Sequence, residues 1–271
     1  MAYNITCATA RGPRPYQEDR FVTLTKGERS LLAVLDGHGG AEVAEHCAER
    51  LKTLDMFPET KSGMLGMVQI LAAETEDYEA GSTLSLVSVT PEGAIIAVLG
   101  DSPIITLDSS WQLRVSPEHN VRTNLAEREA TIARGGRYGG GYIWRGDSGL
   151  QMSRALGDSH LSGILSREPE IYTITDPHWV LVLSDGVLDP GHAETSELIG
   201  DLQQLMETIT EPTAQDVLDW AEARGLADNA TVVLWRRLAT APISQGTDDS
   251  EPMLGTHLRE TAKTVKEWFD R

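Results

Sequence analysis

Four acidic corners stand out in this chain of 271 residues. Asp36 and Asp185 each close an apolar run, LLAVLD at 31–36 and WVLVLSD at 179–185, and each is followed by glycine. Glu18-Asp19 precedes the first run, and Asp228-Asn229 precedes a last apolar run, ATVVLWRRL. A strand can fix a carboxylate rigidly where the chain leaves the core. Several such ends converging on one cleft would supply what hard divalent cations need: oxygen ligands, with room left for water. Carboxylates and carbonyls suit Mg²⁺ or Mn²⁺ rather than zinc. The two cysteines, Cys7 and Cys47, make neither a disulfide framework nor a thiolate metal motif; both sit in apolar patterns and read as buried thiols.

Asp-Gly is also a common hairpin turn. A hairpin needs a second strand directly beyond it. After Asp36-Gly37 come His38-Gly39-Gly40 and then AEVAEHCAERL, in which Val43, Cys47, Ala48 and Leu51 recur at helical spacing. After Asp185-Gly186 comes VLDPGHAETSEL, again without strand character. Both corners therefore read as strand ends and not as hairpin tips.

The elements that must position these corners follow from periodicity. Strands are expected at 3–10, 20–26 and 31–35, and helices at 40–54 and 63–78, the second with Met64, Met67, Val68, Leu71 and Ala72 on its apolar face. Four short strands follow between residues 82 and 116, separated by turn residues. A helix at 123–136 ends in glycines, strands recur at 170–176 and 179–185, and two helices, 195–209 and 213–225, precede a closing strand at 230–238. Runs of strands with paired helices between them, without strict alternation, indicate an α+β fold with antiparallel sheets.

A net charge of −18 argues against binding nucleic acid or an anionic membrane surface. No apolar run approaches the ~20 residues that span a bilayer. The N-terminal residues lack signal-peptide character, so a cytoplasmic protein is expected. Residues 1–238 read as one catalytic domain, 239–255 as a polar linker and 256–271 as an amphipathic helix with Leu258, Ala262, Val265, Trp268 and Phe269 on one side. That helix is expected to pack back on the body, and the chain to be monomeric.

In order, Arg14-x-x-x-Glu18-Asp19, Asp36-Gly37-His38-Gly39-Gly40, Gly81-Ser82-Thr83, Gly100-Asp101-Ser102, Ser153-Arg154-Ala155-Leu156-Gly157-Asp158, Ser184-Asp185-Gly186 with Asp189, and Asp228-Asn229-Ala230-Thr231 resemble the metal-dependent protein phosphatase 2C family. The resemblance covers residues 3 to about 237. It implies a β-sandwich of two antiparallel sheets flanked by helices on both outer faces. It also implies removal of phosphate from phosphoserine and phosphothreonine in proteins by a metal-activated bridging water. By that resemblance Asp36 bridges two Mg²⁺ or Mn²⁺ ions. Asp185 and Asp228 hold the first, Glu18 and the carbonyl of Gly37 hold the second, and Asp19 holds metal-bound water. Arg14 clamps the phosphate, His38 protonates the leaving oxygen, and Asp101 and Asp189 match a third, weaker metal site with Asp185.

General chemistry supports those roles, since cations neutralise an anionic ester, Arg forks to phosphate oxygens and His titrates near neutrality. Other readings stay open residue by residue. Arg11 competes with Arg14, His38 could cap the helix that follows, Asp101 could be a turn residue, and Asp158 reads as a turn cap. Pro103 stands where the family usually has Arg. The glycine-rich stretch 135–141 reads as a mobile flap. Rival functions are a catalytically inactive binding module and a phosphoesterase acting on a small molecule.

Overall fold

The computed structural model describes residues 2–188 and 195–238, the side chains of 195–197 excepted. Asp189, the expected linker at 239–255 and the expected terminal helix at 256–271 lie outside the described residues.

Two five-stranded antiparallel sheets face each other, as an α+β sandwich requires. With strands numbered in chain order, one sheet runs β1 (Tyr3–Ala10), β16 (Ala230–Arg237), β15 (Pro177–Leu183), β8 (Ile104–Asp108), β9 (Leu113–Val115). The other runs β14 (Glu170–Ile174), β7 (Gly93–Leu99), β6 (Leu84–Thr90), β3 (Arg29–Leu35), β2 (Arg20–Lys26). Between them lies an apolar layer that includes Leu32, Val34, Ile96, Val180, Val182 and Trp235. The alternate residues of the same strands face outward and are buried too. Leu31, Ala33 and Leu35 pack with α1 (Glu42–Lys52) and α2 (Lys61–Glu74). Leu181 and Leu183 pack with α4 (Thr195–Thr208) and α5 (Ala214–Arg224). Burial on both faces is why LLAVL and WVLVL are continuous apolar runs and not alternating ones.

The helices start where side chains can cap them. Thr60 accepts from the Gly63 amide and opens α2 at Lys61, and Thr213 with Asp216 forms a capping box on α5. Helix α2 ends at Glu74, four residues short of the expected 78, and the Thr75 hydroxyl donates to the Leu71 carbonyl at 2.8 Å. Helix α3 (Leu125–Ala133) is capped by Asn124.

One expectation is extended and one is corrected. Residues 137–150 form a three-stranded antiparallel sheet, β10 (Arg137–Gly139), β11 (Tyr142–Arg145) and β12 (Ser148–Leu150). Gly140 and Gly141, both at positive φ, make the two-residue turn between Gly139 and Tyr142. The glycines thus shape a hairpin within the stretch expected as a flap. Cys47 is buried, and burial pushes its thiol up to about 12, but Cys7 is exposed. β1 is a sheet edge, so an apolar neighbourhood in sequence does not guarantee cover.

Candidate metal centre

The acidic corners meet where the strands leave the sandwich. Asp36 follows the last residue of β3, and Asp185 follows β15 by one residue. A small third sheet, β13 (Leu156–Gly157), β5 (Gly81–Ser82), β4 (Gly37–His38), ties the Asp36 corner to two other motifs. The Thr83 amide donates to the Asp36 carbonyl at 2.9 Å, and the Asp36 amide donates to the Thr83 hydroxyl at 3.1 Å. That hydroxyl lies 2.8 Å from the Ser102 hydroxyl, next to Asp101. Gly81-Ser82-Thr83 and Gly100-Asp101-Ser102 therefore act as a bracket that sets Asp36 beside Asp101.

Two glycines are required by close approach. A Cβ on Gly37 would stand 2.6 Å from the Glu18 carbonyl oxygen, and one on Gly186 would stand 2.0 Å from the Asn229 carbonyl oxygen. Glu18 is thereby seated against Gly37, and Asp185 against Asp228. These are the two pairings expected for separate ions. Asn229 locks both loops together: its Oδ1 accepts from the Glu18 amide at 2.8 Å, and its Nδ2 donates to the Arg11 and Tyr16 carbonyls.

Asp36, Asp185, Asp101, Asp19 and Asp228 are close enough to repel one another. Burial first, then repulsion from Asp185, Asp19 and Asp101, drives the Asp36 carboxyl well above the usual range. Burial, then Asp101, does the same to Asp185. Asp19 is 4% exposed and pushed up to about 6, by burial first and also by Asp228, against the opposing hydroxyls of Thr231 and Ser184. Those hydroxyls donate to Oδ2 at 2.7 and 2.8 Å, while Oδ1 is buried with no donor. Asp101 likewise has one oxygen held by Asn120 at 2.9 Å and one buried and unpartnered. Gathered carboxylates with orphaned oxygens and an all-oxygen donor set fit divalent cations.

Arg14 reaches this cluster and forms an ion pair with Asp228, whereas Arg11 is spent on the Pro15 carbonyl at 3.2 Å. Of the two arginines, Arg14 is the one that lies against the acidic cluster. His38 caps nothing: α1 begins after Ala41, which makes no side-chain cap. The His38 ring contacts Asp158 instead, Nε2 lying 2.9 Å from Oδ2. Asp158 does open a short helical turn at 159–161, but its side chain makes no capping bond there. The contact of Asp158 with His38 is what sequence reasoning, which read Asp158 as a turn cap, did not anticipate, and Glu118 was not singled out at all. Glu118, pushed up to about 7 by burial and then by Asp101, lies in a loop with no periodic signal.

Among the described residues, the three whose ligand atoms all fall within 4.8 Å of one another are His119, Glu127 and Glu170, not the acidic corners. Two ions about 3.5–4 Å apart spread their ligands more widely than one ion does. The compact trio is not built for a metal. The Gly100 amide donates to His119 Nδ1 at 3.0 Å, which leaves the proton of the neutral ring on Nε2, the atom facing Glu170 at 3.6 Å. A metal on Nε2 would require Nδ1–H to point at the Gly100 N–H. Glu127 is already engaged by Arg154 and Ser153.

A protein-family model described as protein phosphatase 2C matches residues 16–230. A relative from Oryza sativa subsp. japonica named probable protein phosphatase 2C 59 is 29% identical over 249 residues, spanning 85% of this chain and 75% of its own. A solved serine-threonine phosphatase 2C from Toxoplasma gondii matches with a TM-score of 0.67 at 19% identity, over 86% of this chain and 94% of that one. The catalytic domain of the serine threonine protein phosphatase PstP, solved in complex with two manganese ions, matches at 0.57 and 22% identity, over 86% and 97%.

Proposed function

Because this chain belongs to the protein phosphatase 2C family and is a protein serine/threonine phosphatase, we propose that it hydrolyses phosphoserine and phosphothreonine in proteins with two Mg²⁺ or Mn²⁺ ions. Asp36 would hold both ions, Asp185 and Asp228 the first, Glu18 and the Gly37 carbonyl the second. The observation that carries this reading is the gathering of Asp36, Asp185, Asp101 and Asp19 in one buried place, where burial first and repulsion second raise the Asp36 and Asp185 carboxyls well above the usual range. When bound, the ions supply charge neutralisation and hydroxide at neutral pH.

The chain's own groups do the rest. Arg14 stands at the open rim, half-exposed beside Asp228, and binds the phosphoryl oxygens with its planar fork. Asp19 presents its free Oδ1 inward and orders water at the cluster. His38 gives a proton to the departing seryl or threonyl oxygen, which is too basic to leave as an alkoxide. Asp101, whose Oδ1 is unpartnered and whose charge repels Asp185, would share a weaker third cation with it. Hydrolysis of a phosphopeptide and of a small aryl phosphate, each with Mn²⁺, with Mg²⁺ and with chelator, tests the proposal. Turnover that survives chelation in metal-free protein would sink it, and turnover of the aryl ester alone would favour a small-molecule phosphoesterase.

A further inference from the structure

Of the two nitrogens of His38, only one is free to serve the leaving group. Nε2 lies 2.9 and 3.1 Å from the two carboxylate oxygens of Asp158. An ionised carboxylate only accepts, so Nε2 carries a proton that it donates to Asp158. Nδ1 is buried and has no partner in the protein. The imidazole is thus anchored at one end and unengaged at the other.

The anchor is built with care. Asp158 is 2% exposed and sits at φ 51°, ψ 51°, a left-handed conformation that few residues other than glycine and Asp or Asn adopt readily. Its amide donates to the Ala80 carbonyl and its carbonyl accepts from the Leu161 amide, both at 2.9 Å. The strand before it is held by Arg167, whose guanidinium donates to the Ala155 and Gly157 carbonyls. Across from the contact stands Gly81. A Cβ there would lie 2.2 Å from both Asp158 Oδ2 and His38 Nε2, so the absence of a side chain at 81 is what lets the two meet.

We propose that Asp158 is a positioning residue that fixes the His38 ring, holding the Nε2 proton and presenting Nδ1 as the nitrogen that delivers a proton to the leaving oxygen. This rests on the phosphatase reading of the site. As the P–O bond breaks, its electron pair stays on the seryl oxygen. The Nδ1–H bond gives its proton to that oxygen, forming the O–H bond of serine. The ring is left neutral, with its other proton still on Nε2 against Asp158. Solvent then restores the proton on Nδ1.

The ring's tautomer can be read without turnover. In full-length protein carrying ¹⁵N-labelled histidine and saturated with diamagnetic Mg²⁺, long-range ¹H–¹⁵N correlation spectra should show neutral His38 protonated at Nε2 and bare at Nδ1. The reverse tautomer in wild type would overturn the proposal, whatever any variant does. Asp158→Asn keeps the volume, so it should leave Mg²⁺ affinity by calorimetry and KM unchanged. It should lower kcat for a phosphoserine peptide by about 10- to 100-fold and for an aryl phosphate, whose leaving group needs little help, by less than about threefold. In the His38→Gln background the same change should add nothing. Equal losses on both substrates, or additive losses in the double variant, would make Asp158 merely structural. A wild type that turns over no phosphoester with metal would instead defeat the phosphatase reading, leaving the tautomer result to stand alone.

Discussion

Two gatherings of acidic side chains lie in this molecule, and they are opposites. Around Glu127 and Glu170, each negative charge has an answer: Arg154 on Glu127, and His119 and Arg154 facing Glu170. The hydrogen bonds of Arg154 and Ser153 outweigh burial and hold Glu127 below its usual range. Around Asp36 and Asp185 the negative charges face one another, and both carboxyls are driven up. The compensated cluster is the more compact and looks more like a metal site by distance alone. Compactness marks a finished structure. The open cluster has the Arg14–Asp228 pair at its rim, but Asp36 and Asp185 themselves face only like charges, which is what marks it as the candidate site.

The comparison breaks most readily at Asp36. Asp36→Asn should cost at least about 10²–10³-fold in kcat with Mn²⁺, by analogy with removing one preorganised electrostatic group. The same change should raise the melting temperature of the chelated protein at pH 7, because it removes a carboxyl that burial first, and its acidic neighbours second, make costly to ionise in the fold. Lower stability of the chelated variant would show that the charges at the corner are already balanced.

A pH series tests the same cluster without mutation. The folded-state pKa values of Asp19, Asp36 and Asp185 are raised, so the folded chain binds more protons than the unfolded one. Their cost is absent below the unfolded value of roughly 4 and grows as pH rises through the folded values. Glu127, with its pKa lowered, runs the other way: its contribution is present above about 4.5 and fades as pH falls. In chelator, melting should therefore fall between pH 5 and pH 7.5 by roughly 5 °C, and saturating Mg²⁺ should flatten that fall. A chelated protein that gains stability over this range would contradict the assigned signs.

The compensated cluster should respond in the opposite sense. Glu127→Gln leaves the half-buried Arg154 without its main partner and should destabilise the fold by about 1–3 kcal/mol, read from denaturant unfolding. Mn²⁺ affinity, measured by calorimetry, should change little. A large loss of metal binding with little loss of stability would mean that the two clusters had been assigned the wrong way round.

Arg14→Ala should be milder than Asp36→Asn. It removes a clamp at the rim, so KM should rise by about tenfold while kcat holds. A kcat collapse with unchanged KM would show that Arg14 acts on the transition state and not as a ground-state clamp.

The acidic corners were legible because each sits at a fixed place relative to an apolar run. LLAVL and WVLVLS are long enough to declare strands, and the residue after a strand is where rigidity ends. The two-residue strands Gly37–His38, Gly81–Ser82 and Leu156–Gly157 left no such trace, since two residues carry no period. Residues 137–150 were hidden by their own glycines, which suggest looseness in sequence and supply a tight turn in space. Asp158 was invisible for another reason. Its role is a contact with a ring 120 positions earlier, made possible by a glycine in a third segment, and no local pattern encodes that. The same holds for His119, whose type invites a metal until the Gly100 amide fixes its tautomer.

The smallest expected effect separates the oxygen chemistry from the sulfur in the chain. Cys7 is exposed on the edge strand β1, paired across to Val233, while Cys47 is buried with its thiol pushed up to about 12. A thiol reagent at pH 8.5 should therefore label Cys7 in the native protein and reach Cys47 only on unfolding, giving one fast-reacting equivalent and one slow. Burial also raises the Cys7 thiol, so the fast phase should be slower than for a free cysteine. If the strained carboxylates alone answer for hydrolysis, the Cys7-labelled protein should keep its Mn²⁺-dependent kcat within about twofold, the scale of an ordinary surface change. Loss of turnover that tracks the fast phase would put a sulfur in the reaction and overturn the separation between a site made of oxygen and a framework that merely carries it.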